Sequence, residues 1–175
     1  LTVADIRGTS PRVWNAWKGK LLEDLFRSTR RILRGDTDYA ARAIEAKKAE
    51  ALRSLRHYVE DPRAHEALWA HLGEDYFQRF EAGEIAWHTR TLCLRPKPDR
   101  AVVRARLSPV GEGLQVLVYA HDQPGLFARI TGFFERLKFD IAAAKIYTTH
   151  HGYALDGFQV LSRARAGEHH RDLIE

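Results

Sequence analysis

The sequence predicts an α+β chain, a helical half followed by a sheet half, and three observations carry that prediction. Up to about residue 94 helix formers dominate, and apolar residues recur at intervals of three and four. Beyond residue 100 the apolar residues alternate with polar ones. Between the two lies Arg95-Pro96-Lys97-Pro98-Asp99, a stiff polar breaker and the natural linker. Two regions are therefore expected, 1–97 helical and 98–175 sheet-based.

The elements follow in order. Ser10-Pro11 is a helix start, because serine accepts free N–H groups and proline sits where none is needed. From there Val13, Trp14, Trp17, Leu21, Leu25, Ile32 and Leu33 form one stripe that Gly35 ends, with Lys18, Lys20, Arg27, Arg30, Arg31 and Arg34 opposite. Asp36 or Thr37 starts a second helix to about Val59. Asp61-Pro62 opens a short one through Leu68, Trp69 and Leu72, and Gly73 closes it. Others cover Tyr76–Phe80 and Gly83 to about Leu94. Trp14, Trp17, Trp69 and Trp87 read as core residues on apolar faces.

In the second half Ala101–Leu107 and Leu114–Ala120 alternate around a turn, which predicts a hairpin. A helix over Gly125–Lys138 puts Leu126, Phe127, Ile130, Phe133, Phe134 and Leu137 on one face. Strands Phe139–Thr148 and Tyr153–Leu161 flank a turn at His150-His151-Gly152, and Glu168–Glu175 reads as the opening of another helix. The order β-α-β-β-(α) is an incomplete ferredoxin-like unit without its last strand. That leaves the strand from Leu114 with one open side, which Ala101–Leu107 is expected to fill.

Composition narrows the classes. The 175 residues are 45% hydrophobic, 29% charged and 10% aromatic, which excludes a disordered or collagen-like chain. No apolar run approaches ~18 residues, so no membrane-spanning helix is expected. One cysteine, Cys93, excludes an internal disulfide and a cysteine-based zinc site, which suits a reducing cytoplasm. The net charge of +5 is spread over helices, a pattern of solvated faces that argues against nucleic acid. The chain begins at Leu1 and contains no methionine, so it reads as an internal piece or a processed product.

The stretch with the most chemistry is His121-Asp122-Gln123-Pro124-Gly125-Leu126-Phe127. Pro124 presets a first helical turn and Gly125 permits close approach. Asp122 can cap the helix or accept from a ligand's ammonium group, and the free N–H groups of the helix start suit a carboxylate. An acceptor for the amine and donors for the acid are what an α-amino acid needs. The plainer reading, a well-capped helix start with no ligand, fits the same spacing. Elsewhere His150-His151 and His169-His170 read as solvent-facing pairs, Cys93 has no base at identifiable spacing, and no phosphate loop or nucleophile elbow exists. Asp5 by itself reads as a helix-terminus acid.

These residues also carry a family resemblance. Asp122-x-Pro124-Gly125-Leu126-Phe127, Phe139-Asp140-Ile141 and Thr148-Thr149-x-x-Gly152-Tyr153-Ala154-Leu155-Asp156-x-Phe158 together resemble an ACT domain. ACT domains are regulatory modules that commonly bind amino acids across a dimer or between paired modules. The resemblance implies a ligand set of Asp122, Gln123, Gly125, Leu126 and Phe127, with Ile141, Ala142 and Ala143 lining a neighbouring strand. Asp140 stands where the family often has Asn, which changes the donor set.

Leu1-Thr2-Val3-Ala4-Asp5-Ile6-Arg7-Gly8-Thr9-Ser10-Pro11 and Val13-Trp14-Asn15-Ala16-Trp17-Lys18 resemble the end of an HD domain. They are similar in particular to the family of bifunctional PII uridylyltransferase/uridylyl-removing enzymes, in which Gly83-Glu84-Ile85-Ala86-Trp87-His88-Thr89 resembles the lead into the first ACT domain. The resemblance implies an HD tail, linker helices and most of a first ACT domain, the regulatory and glutamine-sensing part of a nitrogen-signalling enzyme. It implies L-glutamine as ligand, PII protein as the whole enzyme's partner, and a second ACT domain or an ACT dimer for pairing. Asp5 would be the last metal ligand of the HD site, for Mg²⁺ or Mn²⁺, with its His and His-Asp partners preceding Leu1. No complete catalytic site is then expected in this chain, which is expected to be inactive alone. The alternative is a protein interaction module with no ligand of its own, pairing through its sheet and docking through its basic helix.

Overall fold

The computed structural model describes residues 16–36, 38–94, 97–109 and 112–163. The chain divides into two units, Leu1–Ala46 and Lys47–Glu175, with the division inside one helix. In the first unit helix α1 spans Ala16–Leu33. It ends on Gly35, whose φ of 86° lets the Gly35 N–H reach Ile32 O at 2.9 Å and the Asp36 N–H reach Arg31 O at 3.1 Å. Arg30 and Arg31 in the last turn oppose the carbonyl end of the helix dipole. Leu25, Ile32 and Leu33 of the expected apolar stripe are exposed. Ser10, Pro11 and the side chains of Trp14, Trp17, Lys18 and Lys20 lie outside the described residues. Helix α2 spans Tyr39–Leu55.

The second unit carries three short helices, α3 (Glu66–Trp69), α4 (Glu74–Arg79) and α5 (Ala82–Leu92). The helix expected from Asp61-Pro62 is only one turn long. The Asp61 carboxylate accepts the Arg63 N–H at 2.8 Å, which closes a local turn in place of a helix start. α4 begins two residues earlier than expected because Glu74 and Asp75 suit its first turn. Trp69 is half-buried and donates its indole N–H to Thr89 Oγ at 2.9 Å, while Trp87 is buried beneath the Arg106 guanidinium, 4.2 Å from the ring centre.

The sheet follows: β1 (Val102–Leu107), β2 (Leu114–His121), helix α6 (Leu126–Arg136), β3 (Phe139–Lys145) and β4 (Tyr153–Ser162). Strand order is β1-β2-β4-β3 and every neighbouring pair is antiparallel. β2 and β3 thus run parallel on either side of β4, joined across it by α6, which is the split βαβ expected from the element order. β1 pairs with β2 from Val102↔Tyr119 to Leu107↔Leu114 and fills the edge that the incomplete unit leaves open. The connecting turn needs glycine: Gly113 has φ 90°, and a Cβ there would lie 2.2 Å from Val160 O. The third strand is shorter than the sequence suggests. It ends at Lys145, and Thr148 makes only an isolated bridge to Ala154.

The two faces of the sheet bury different things. On one face Leu114, Val116, Val118, Phe158 and Val160 pack on Phe134 of α6. On the other, Leu117, Tyr119 and Leu155 are fully buried. There Phe80 lies 3.5 Å from where a Gly157 Cβ would stand, and Tyr147 contacts Tyr76 with ring centres 5.3 Å apart. Glu84 ties this side together. Its carboxylate accepts the Glu81 N–H at 2.8 Å and the Gln115 amide at 2.7 Å, and pairs with Lys145 at 2.5 Å.

Candidate functional site

The loop between β2 and α6 is anchored by its neighbours before any ligand is considered. The Asp122 N–H donates to Gly152 O at 2.9 Å, and the Asp122 carboxylate accepts the Thr148 hydroxyl at 3.1 Å. Asp122 therefore braces the loop against the β3–β4 turn and does not cap α6, because that carboxylate is drawn to Thr148. The residue before the helix is Gly125 in the left-handed region, φ 76° and ψ 6°. A Cβ there would meet nothing within 4 Å, so the glycine serves its own backbone angle and its surroundings are open. Leu126 N–H reaches Gln123 O at 3.1 Å, and the first helical bond, Arg129 N–H to Gly125 O, is 3.0 Å. The amides of Phe127 and Ala128 lie in the first turn ahead of that bond, where a helix offers donors.

Phe127 is 48% exposed, with its ring stacked 6.2 Å from Phe158. Leu126 is half-buried. Gln123 lines a cleft of about 310 Å³ with Pro98, Asp99, Arg100, Ala101, Ala120, His121 and Tyr153. These five expected ligand residues form one loop.

Ile141, Ala142 and Ala143 lie elsewhere. Ile141 is paired with Val160, which is level with Leu114 at the far end of β2 from His121. Seven residue steps along a strand put Ile141 ~23 Å from the His121 end of the loop, while Phe127 stacks on Phe158, the partner of Ala144, so β3 passes beside the first turn of α6. Ile141 lines a groove of about 390 Å³ with Ala128, Thr131, Gly132, Glu135, Phe139 and Arg163. The register shifts between Ile141 and Ala143, which leaves Ala142 exposed at a bulge. Asp140 is engaged: Arg163 donates to it at 2.6 Å and to Glu135 at 3.0 and 2.9 Å.

One residue near the loop is absent from the expected set. Asp156 is 2% exposed, on the face of β4 that also carries Phe158 and Val160. The Tyr147 N–H donates to its Oδ1 at 3.3 Å. Burial pushes its pKa up to about 6; the Tyr147 bond opposes this and the Asp122 carboxylate adds to it. The signal was an acid in phase with core residues inside the apolar run Ala154-Leu155-Asp156-Gly157-Phe158.

The histidines resolve differently from expectation. His150 is exposed, but His151 is half-buried, its ring 3.9 Å from His71 and 4.9 Å from Tyr153, with Nε2 3.0 Å from the Tyr119 hydroxyl. The turn His150–Gly152 folds back on the helical segment, since the His150 N–H donates to His71 O at 3.0 Å. His169 and His170 lie outside the described residues. His88 is fully buried, 2.9 Å from the Tyr76 hydroxyl, and burial lowers its pKa to about 3. Cys93 is buried, and burial raises its thiol pKa. Asp5 lies outside the described residues, and among those described no three His, Cys, Asp or Glu side chains could hold a metal ion. One carboxylate does not make the Mg²⁺ or Mn²⁺ site.

Residues 114–174, which hold β2, α6, β3 and β4, match the ACT domain family, so this part of the chain is an ACT domain, with β1 added at its edge from outside the match. Residues 39–91 match a second family, the uridylyltransferase GlnD fifth domain. The bifunctional uridylyltransferase/uridylyl-removing enzyme of Ralstonia nicotianae is 56% identical over 177 aligned residues, covering 99% of this chain and 21% of that enzyme. Those of Aromatoleum aromaticum and Thiobacillus denitrificans are each 53% identical over 174 residues, 99% of this chain and 20% of theirs. No solved structure matches. The chain belongs to this uridylyltransferase/uridylyl-removing family, and it spans about a fifth of the length of the curated relatives it matches. Among the described residues no helix is long and apolar enough to cross a membrane.

Proposed function

We propose that the chain is a regulatory segment of a uridylyltransferase/uridylyl-removing enzyme and that its ACT half senses an α-amino acid, L-glutamine. The observation that carries this reading is the β2–α6 loop. Its left-handed Gly125 leads into first-turn amides, beside two acidic residues and open surroundings. The amides would take the ligand's carboxylate and a neighbouring acid its ammonium. Ile141, Ala142 and Ala143 would line the neighbouring strand, where Ile141 shares a groove with Ala128 of the first turn, and a second ACT module or a second copy would add to the pocket. In the whole enzyme the ligand would bias modification and demodification of the PII protein, with Mg²⁺ or Mn²⁺ at the hydrolytic site. The chain alone would be catalytically inactive and act in the cytoplasm.

Titration calorimetry of the 175-residue chain with L-glutamine, L-glutamate and D-glutamine tests this. Heat that saturates with L-glutamine alone supports it; silence with all three in a folded chain contradicts it.

A second reading, a protein interaction module without a ligand, has its own observation. Phe127 and Phe133 of α6, Leu137 just beyond its end, and Val103 and Leu107 of β1 are 44–52% exposed. Apolar pairing predicts concentration-dependent self-association that added salt does not weaken; docking through the basic helix predicts association that salt abolishes.

A further inference from the structure

A buried carboxylate costs free energy unless it is paired, and structures rarely keep one without a reason. Asp156 is such a group. It is 2% exposed, and its one hydrogen bond among the described residues is from the Tyr147 N–H at 3.3 Å, near the long limit of a useful bond. Arginine and lysine do not face it: the charged neighbour that acts on it is Asp122, of the same sign.

Its place explains what it could serve. Along β4, residues Ala154, Asp156 and Phe158 share the face toward α6. Phe158 lies against Phe127 in the first turn of α6, and Ala154 bridges Thr148, whose hydroxyl holds Asp122. Asp156 sits between these two contacts on the strand beneath the loop, whose Gly125 has open surroundings. The carboxylate first expected to receive an ammonium group, Asp122, is already accepting from Thr148.

We infer that Asp156 is the buried acceptor for the ammonium group of the loop's ligand, and that Asp122 holds the loop in place. This rests on the amino-acid reading of the loop and names the residue that makes it selective for an α-amine. An ammonium group brings a positive charge and N–H donors to a carboxylate that has one weak bond, and so removes the cost of its burial.

The test uses the 175-residue chain and the variants Asp156→Asn and Asp122→Asn. An asparagine in place of Asp156 keeps an oxygen for the Tyr147 N–H and loses the charge, so the fold is retained. L-Glutamine and its des-amino analogue 4-carbamoylbutanoate are titrated by calorimetry. In parallel the Asp156 carboxyl ¹³C shift is followed with methylammonium, and with tetramethylammonium, which has no N–H. The expected result is at least about tenfold weaker L-glutamine binding in Asp156→Asn, a smaller loss in Asp122→Asn, and unchanged binding of the analogue. Equal L-glutamine binding by wild type and Asp156→Asn overturns the inference and leaves the amino-acid reading intact. No L-glutamine heat with a saturable, methylammonium-specific shift at Asp156 supports the ammonium site and contradicts the amino-acid reading. No response to either overturns both.

Discussion

The two faces of the sheet differ in how much they leave open. Under α4 and α5, Phe80, Leu117, Tyr119 and Leu155 are fully buried, and Gln115 and Lys145 are paired there with Glu84. Under α6, Phe134 alone among the helix's residues is buried, while Phe127, Phe133 and Leu137 stay half-exposed. The closed face makes the helical segment and the ACT sheet one packed body. The open face carries the loop, the buried Asp156 and the apolar surface on which a partner or a further element can act.

The largest expected effect is on the closed face. Phe80→Ala should cost about 3–5 kcal/mol in denaturant unfolding. A loss below about 1 kcal/mol would show that this packing is not what joins helices to sheet.

Acid should act on the same face. His88 is held neutral with a pKa of about 3, below its ordinary 6.5, so the unfolded chain binds its proton more readily. The stability this gives is present above pH 6.5 and lost as pH falls toward 3, at about 1.4 kcal/mol per pH unit. His88→Gln should flatten that slope in urea melts across this window.

Asp156 on the open side has the opposite sign. Its folded pKa of about 6 lies above the ordinary 3.8, so its favourable contribution is present below pH 3.8 and lost as pH rises through 6. Asp156→Asn should therefore raise stability at pH 7 by about 1–3 kcal/mol, with the gain gone by about pH 4. A variant less stable than wild type at neutral pH would mean that the charge is satisfied within the fold.

The smallest effect is expected at Phe133, 50% exposed. Phe133→Ser should change stability by about 1 kcal/mol or less, far below Phe80→Ala, while lowering self-association if the open face pairs.

Periodicity made the architecture legible: the hairpin strand at 101–107, the α6 crossover and the strand pair all follow from apolar spacing, whereas the division inside α2 does not. The loop residues Asp122–Phe127 were legible for the same local reason, since proline and glycine mark a helix entry. What escaped depended on contacts far apart in sequence. Asp122 reads as a cap until Thr148, far along the chain, takes its carboxylate. His151 reads as solvated until His71 and Tyr153 enclose it. Asp156 reads as one letter of a motif, although its phase with Ala154 and Phe158 in an apolar run marks it as inward-facing. The bulge between Ile141 and Ala143 is a matter of register, which only the paired strands disclose.

The most direct measurement is a titration of the isotope-labelled chain with L-glutamine, followed by backbone amide shifts. Saturable shifts centred on residues 122–128 and on Asp156, absent with D-glutamine, are the result expected of an amino-acid-sensing ACT loop. No saturable shift in a folded chain, or shifts centred on the α4–α5 face with the loop unmoved, would contradict it.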